Sequence, residues 1–177
     1  MTRIVRFALF GLPLAAIALM QSPSVSLSAS DTPFATYAGS FNGKGTLKRK
    51  PDAAAETVRC RIKAKLSEDG NALSQAGTCV VPGSKVAIDS RLTFDPATRR
   101  IRGTWTDVAN GSAAAVSGTV SGAQINLTIT GKDTKTGENR TLWMTLEPRG
   151  GGYSLTTRSP IPAGSGKFVS GEIRFTK

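Results

Sequence analysis

Residues 57–81 read TVRCRIKAKLSEDGNALSQAGTCVV, and this stretch predicts a β-hairpin. Apolar and polar side chains alternate over residues 57–66 and again over residues 72–81, with the two-residue period of half-buried strands. Asp69-Gly70, between the two runs, is a strong signal for a hairpin turn. We therefore predict two antiparallel strands that are neighbours in one sheet.

The only two cysteines of the chain lie in this hairpin. A two-residue turn at Asp69-Gly70 places Cys60 opposite Cys79 in a hydrogen-bonded pair, where Cα atoms lie roughly 5.5 Å apart. That separation is within the range of a disulfide, and an even pair of cysteines is typical of one in an exported protein. Closing the loop between them stabilises a domain by about 3 kcal/mol. We predict the disulfide Cys60–Cys79.

The same alternation continues along residues 37–175 and predicts about nine strands, the first over residues 37–47. Neighbouring runs pair apolar with apolar across turns, which favours an antiparallel meander. A sheet of this width with one apolar face buries that face by curling, and closure removes the exposed edges. We therefore predict an all-β fold, a single-domain up-and-down barrel of about eight to nine strands over residues 31–177. A two-sheet β-sandwich is the alternative.

Residues 1–30 have the order of a secretory signal peptide. Arg3 and Arg6 form a basic start, and small polar residues follow the apolar run. That run is about fourteen residues long, short of the roughly 20 that span a bilayer. We expect cleavage near Asp31, with Ser26 as a second position, and a periplasmic or secreted protein. Without the two leader arginines the chain carries 21 basic and 12 acidic side chains, a net charge of +9.

Two Gly-x-aromatic motifs, Gly39-Ser40-Phe41 and Gly103-Thr104-Trp105, accompany the meander pattern. With them the exported part resembles the lipocalin and avidin type of small secreted barrel. Lipocalins carry Gly-x-Trp on the first strand, whereas here Phe41 takes that place and Trp105 falls on the fifth. The resemblance implies an internal cavity and a non-enzymatic role, and it carries over no ligand-binding residue.

The composition offers little to a catalytic mechanism. The chain has no histidine, the commonest general base and metal ligand, and both cysteines belong to the expected disulfide. We expect no catalytic residues, no metal and no cofactor. A hydrolase remains the last-ranked hypothesis, because carboxylates can form a glycosidase pair. Its candidates are Asp89, Asp107, Glu138 and Glu147.

The most informative surface feature is a concentration of positive charge on the first two strands. On the second strand, basic residues alternate with apolar ones, so their side chains point away from the core. Eight cations are expected to share this basic face: Lys44, Lys48, Arg49, Lys50, Arg59, Arg61, Lys63 and Lys65.

Such a face suits a polyanionic partner. We expect a binding protein that engages an anionic or amphiphilic ligand of the cell envelope, such as anionic lipid, lipopolysaccharide or acidic polysaccharide. The alternative is a protein-interaction module, for example a protease inhibitor or an envelope accessory protein. Nucleic acid is not an expected partner, because the face has no interleaved aromatic side chains on which bases stack.

Overall fold

The computed structural model describes residues 32–177 except 109–110, 135 and 163, and it contains a 3₁₀ helix followed by ten strands. The expected signal peptide lies outside the described residues. The helix is Ala35–Tyr37, and the strands are β1 Gly39–Leu47, β2 Glu56–Leu66, β3 Ala72–Val81, β4 Ser84–Asp95, β5 Arg100–Asp107, β6 Ser112–Ser121, β7 Gln124–Lys132, β8 Asn139–Arg149, β9 Gly152–Pro160 and β10 Lys167–Thr176.

The ten strands form a closed antiparallel barrel. Each strand pairs with its neighbour in the chain, and β1 also pairs with β10, so every strand has a partner on both sides. This confirms the predicted all-β, up-and-down barrel and excludes the two-sheet sandwich. The likeness to lipocalin and avidin barrels holds at this level of architecture, although such barrels have eight strands.

The β2–β3 hairpin has the predicted register but a different turn. Cys60 pairs with Cys79 and the two form a disulfide, as predicted. Their Cα atoms are 4.0 Å apart, so the prediction of a hydrogen-bonded pair was wrong. The reason is the length of the loop, because the N–H of Ser67 donates to the carbonyl of Ala72 and leaves a four-residue loop, 68–71. This shifts the hydrogen-bonded positions by one residue along both strands.

The segment before β1 is a plug rather than the start of a strand. We predicted a first strand from Tyr37, but Tyr37 ends the 3₁₀ helix and the strand begins at Gly39. Phe34 and Tyr37 have no exposed surface. The Tyr37 ring packs edge-on against Tyr153 and the Phe34 ring against Phe94. These aromatic contacts close one end of the barrel.

The Tyr37 hydroxyl ties the plug to the barrel wall. It lies 3.0 Å from the carbonyl oxygen of Ala123 in the β6–β7 turn and 3.1 Å from that of Leu146 on β8. Burial, and secondarily the charge of Glu147, raises the pKa of this phenol well above its usual value of 10.0. The folded protein therefore keeps the phenol protonated at a pH where the unfolded chain would ionise it. The contribution of the Tyr37 hydroxyl to the free energy of unfolding is present below pH 10 and is lost as the pH rises further.

We expect Tyr37→Phe to lower the free energy of unfolding by about 1–2 kcal/mol at neutral pH, because it removes a buried donor from two carbonyls. The difference from wild type should narrow above pH 10, where ionisation of Tyr37 stabilises only the unfolded wild-type chain. Urea denaturation at pH 7 and pH 10.5 measures both effects. Equal stability of the two proteins at pH 7 would contradict this role of the hydroxyl.

We expect the double variant Cys60→Ala/Cys79→Ala to keep the barrel and to lose about 3 kcal/mol of unfolding free energy, since the bridge closes a loop of about 20 residues. Urea denaturation measures the loss. As a control, a reducing agent should destabilise the wild type by a similar amount and leave the double variant unchanged. An unaltered wild type under full reduction would refute the expectation.

Candidate ligand-binding site

The barrel encloses a cavity of about 380 Å³ above the aromatic plug. This volume falls within the roughly 300–1,000 Å³ of small-molecule sites. Strands from all sides of the barrel contribute apolar side chains to the wall. A ten-stranded barrel is wider than an eight-stranded one, whose interior is just filled by side chains or by one small ligand. Representative lining residues are Ile62, Ile88, Trp105, Leu127, Met144 and Ile173.

One polar group in this wall lies between β3 and β4. Ser90 is 1% exposed, and its hydroxyl donates to the Gln75 side-chain oxygen over 3.2 Å. Both residues line the cavity, so the Gln75 amide group is placed where it can donate to a ligand. In a typical pocket, a few polar groups in an otherwise apolar wall fix the orientation of the ligand.

A second polar group lies across the cavity, on β9 and β10. The register between these strands shifts between Val169 and Gly171, and this β-bulge buries Ser170. The Ser170 hydroxyl oxygen lies 3.1 Å from that of Thr157 and 2.9 Å from that of Ser159, which donates to it. This cluster was not predicted, although Gly171 inside the strand pattern was a signal that could have indicated a bulge next to Ser170.

The end of the barrel opposite the plug forms the mouth of the cavity. Its rim carries Lys48, Arg49 and Glu56 beside the β3–β4 turn. Arg49 and Glu56 form a bidentate ion pair, with Nε–Oε1 and Nη2–Oε2 distances of 2.9 and 3.1 Å. The hydrogen bond from Arg49 lowers the pKa of the Glu56 carboxyl. The rim is therefore charged on the side of β1 and β2, next to an apolar opening.

The eight predicted cations are all exposed, and the structure divides them into two groups. Lys48, Arg49 and Lys50 belong to the rim and the loop that follows β1. The remaining five point outward from the barrel wall, with Lys44 directly opposite Arg59. Arg49 forms an ion pair with Glu56, whereas none of the other seven forms an ion pair with a residue that the structure describes.

Three cations near this wall were missed. One is Arg91 on β4, which lies opposite Ser74, and Ser74 in turn faces Lys65. Arg174 on β10 lies opposite Lys44, and Lys85 on β4 lies opposite Val80, which in turn faces Arg59. The short turn between β3 and β4 could have located Lys85, because it fixes the register that places Lys85 opposite Val80. No local pattern could locate Arg174, because its position depends on barrel closure.

Residues 30–146 match the family described as "Protein of unknown function (DUF1579)". The chain belongs to this family. The match covers the 3₁₀ helix, strands β1 to β7 and most of β8. No curated protein and no solved structure matches the chain. Within the described ranges, no helix is long and apolar enough to cross a bilayer, and no group of three or more His, Cys, Asp or Glu side chains could hold a metal ion.

Proposed function

We propose that this member of the DUF1579 family is an exported, non-enzymatic binding protein for a small amphiphile. The apolar part of the ligand lies inside the barrel, and an anionic group sits at the cationic rim. The observation that carries this proposal is the apolar cavity, which the aromatic plug closes at one end and which Lys48 and Arg49 line at the other. The disulfide Cys60–Cys79 fits an exported protein.

The cavity wall supports the apolar part of the ligand. Transfer of apolar surface from water into such a wall gains about 25 cal/mol per Å². The Gln75–Ser90 pair and the Ser170 cluster add hydrogen-bonding groups at two places in this wall. They fit a ligand that carries one or two oxygen atoms along a mainly apolar body.

The rim supports the anionic part of the ligand. An arginine has five N–H donors, so Arg49 can bind a carboxylate or phosphate while it still contacts Glu56. Lys48 lines the same opening. Glu56 competes with the ligand for Arg49, so its charge moderates the affinity of the rim for anions.

We expect the protein to bind dodecanoate in isothermal titration calorimetry and Val86→Trp to weaken binding at least tenfold. Val86 lines the cavity, and a larger side chain there takes up ligand space. Thr93→Trp is the matched control, because it adds the same ring on the outer face of β4. Undiminished binding by Val86→Trp would rule out the interior site. No binding of dodecanoate by the wild type would favour the protein-interaction alternative.

The rim makes a separate prediction that compares dodecanoate with uncharged dodecanol. Lys48→Gln/Arg49→Gln should weaken dodecanoate binding roughly three- to tenfold, since exposed ionic contacts contribute modestly. Dodecanol binding should not change. Glu56→Gln should act in the opposite direction on dodecanoate, because it frees Arg49. Equal losses for both ligands would mean that the rim shapes the cavity and does not recognise charge.

A further inference from the structure

We infer that the outer face of β1, β2, β3 and β4 is a docking surface for an anionic phospholipid bilayer. This surface lies outside the cavity and goes beyond the proposed function. We call it the cationic wall and define it by six side chains: Lys44, Arg59, Arg61, Lys63, Lys65 and Lys85.

The cationic wall is a two-dimensional array of charge. Along β2, every second residue is an exposed cation: Arg59, Arg61, Lys63 and Lys65. These four positions span about 20 Å, at roughly 3.3 Å per residue. Lys44 extends the array sideways, because it pairs with Arg59 on the neighbouring strand. Lys85 lies two strands away on the other side of Arg59. The wall is therefore about 15 Å wide, at roughly 4.8 Å per strand.

The cations of this wall outnumber the acidic side chains around them. Among the described residues, no ion pair involves any of the six cations. Glu56 at the start of β2 is held by Arg49. Asp89 on β4 lies opposite Ala76, which faces Lys63, and Glu172 on β10 lies opposite Thr46, so two carboxylates lie among six cations or beside them. Like charges placed opposite each other destabilise a sheet. An anionic surface that covers the wall relieves this repulsion.

The shape and composition of the wall favour a bilayer over other polyanions. The side chains between the cations are small and neutral: Ala76, Thr78 and Ala87. Val80 is 49% exposed within the wall, so one apolar side chain is available to the interface. Nucleic-acid bases stack on aromatic side chains, and no aromatic side chain of the described residues lies among these cations. Long lysine and arginine stems reach lipid headgroups while their backbone stays on a rigid sheet.

The test is a sedimentation assay with vesicles of phosphatidylcholine containing 30% phosphatidylglycerol. The triple variant Arg59→Gln/Arg61→Gln/Lys63→Gln should partition between ten- and a hundredfold less than the wild type, from the loss of three juxtamembrane cations. The matched control Arg100→Gln/Arg102→Gln/Lys132→Gln removes the same charge from β5 and β7 and should lose less than threefold. Binding of the wild type should disappear in 0.5 M NaCl, because salt screens exposed charges.

Three results would overturn the inference. The first is no binding of the wild type to these vesicles, and the second is an equal loss of vesicle binding by the two triple variants. The third is wild-type binding to heparin that is as tight as binding to the vesicles and that the wall variant loses to the same extent. The wall variant should keep its dodecanoate affinity, so failure of the cavity and failure of the wall give different results. If the triple variant does not fold by circular dichroism, Lys44→Gln/Lys85→Gln replaces it, with about a tenfold loss expected.

Discussion

The pairing of β1 with β10 is the constraint on which the rest of this structure depends. It removes both edges of the sheet and so fixes which face of every strand is inside. Gly45 on β1 is needed at this junction, because a Cβ there would clash with the backbone carbonyl of Glu172 on β10. Once the circle is closed, the two-residue period of each strand produces an apolar interior and a polar exterior without any further device.

One strand can therefore serve two surfaces at once. On β2, Val58 and Ile62 face the cavity, while Arg59 and Arg61 face away from it. Substitutions on one face leave the other face largely intact, since neighbouring side chains lie on opposite sides of the sheet. This separation makes the interior site and the cationic wall independently testable in the same small protein.

The fold could be predicted from the sequence wherever a hairpin joins neighbouring strands. Cys60 opposite Cys79 and Leu127 opposite Gly118 both follow from alternation and a short turn. The length of the 68–71 loop could not be derived in this way, because its four residues and a two-residue turn give the same pairing. The plug at Tyr37 was not predicted, since it is set by tertiary packing rather than by a local pattern. The bulge at Ser170 was not predicted either, although Gly171 beside it is a residue type that often marks a bulge inside a strand. For the candidate site, the cations were identified residue by residue, whereas the cavity depends on the number of strands that close.

The order of strands has a consequence for how the chain reaches this fold. In the described residues, every ladder but one joins strands that follow each other in the chain, and the exception joins residues about 130 positions apart. Folding rates fall as contacts become more distant in sequence, because closing a long loop costs entropy before the contacts that stabilise it have formed. The hairpins can therefore assemble locally and early, while the joining of β1 to β10 is the step with the highest contact order. Until that step is complete, the two strands present open edges, and the intermediate is the form of this protein most exposed to pairing with another chain.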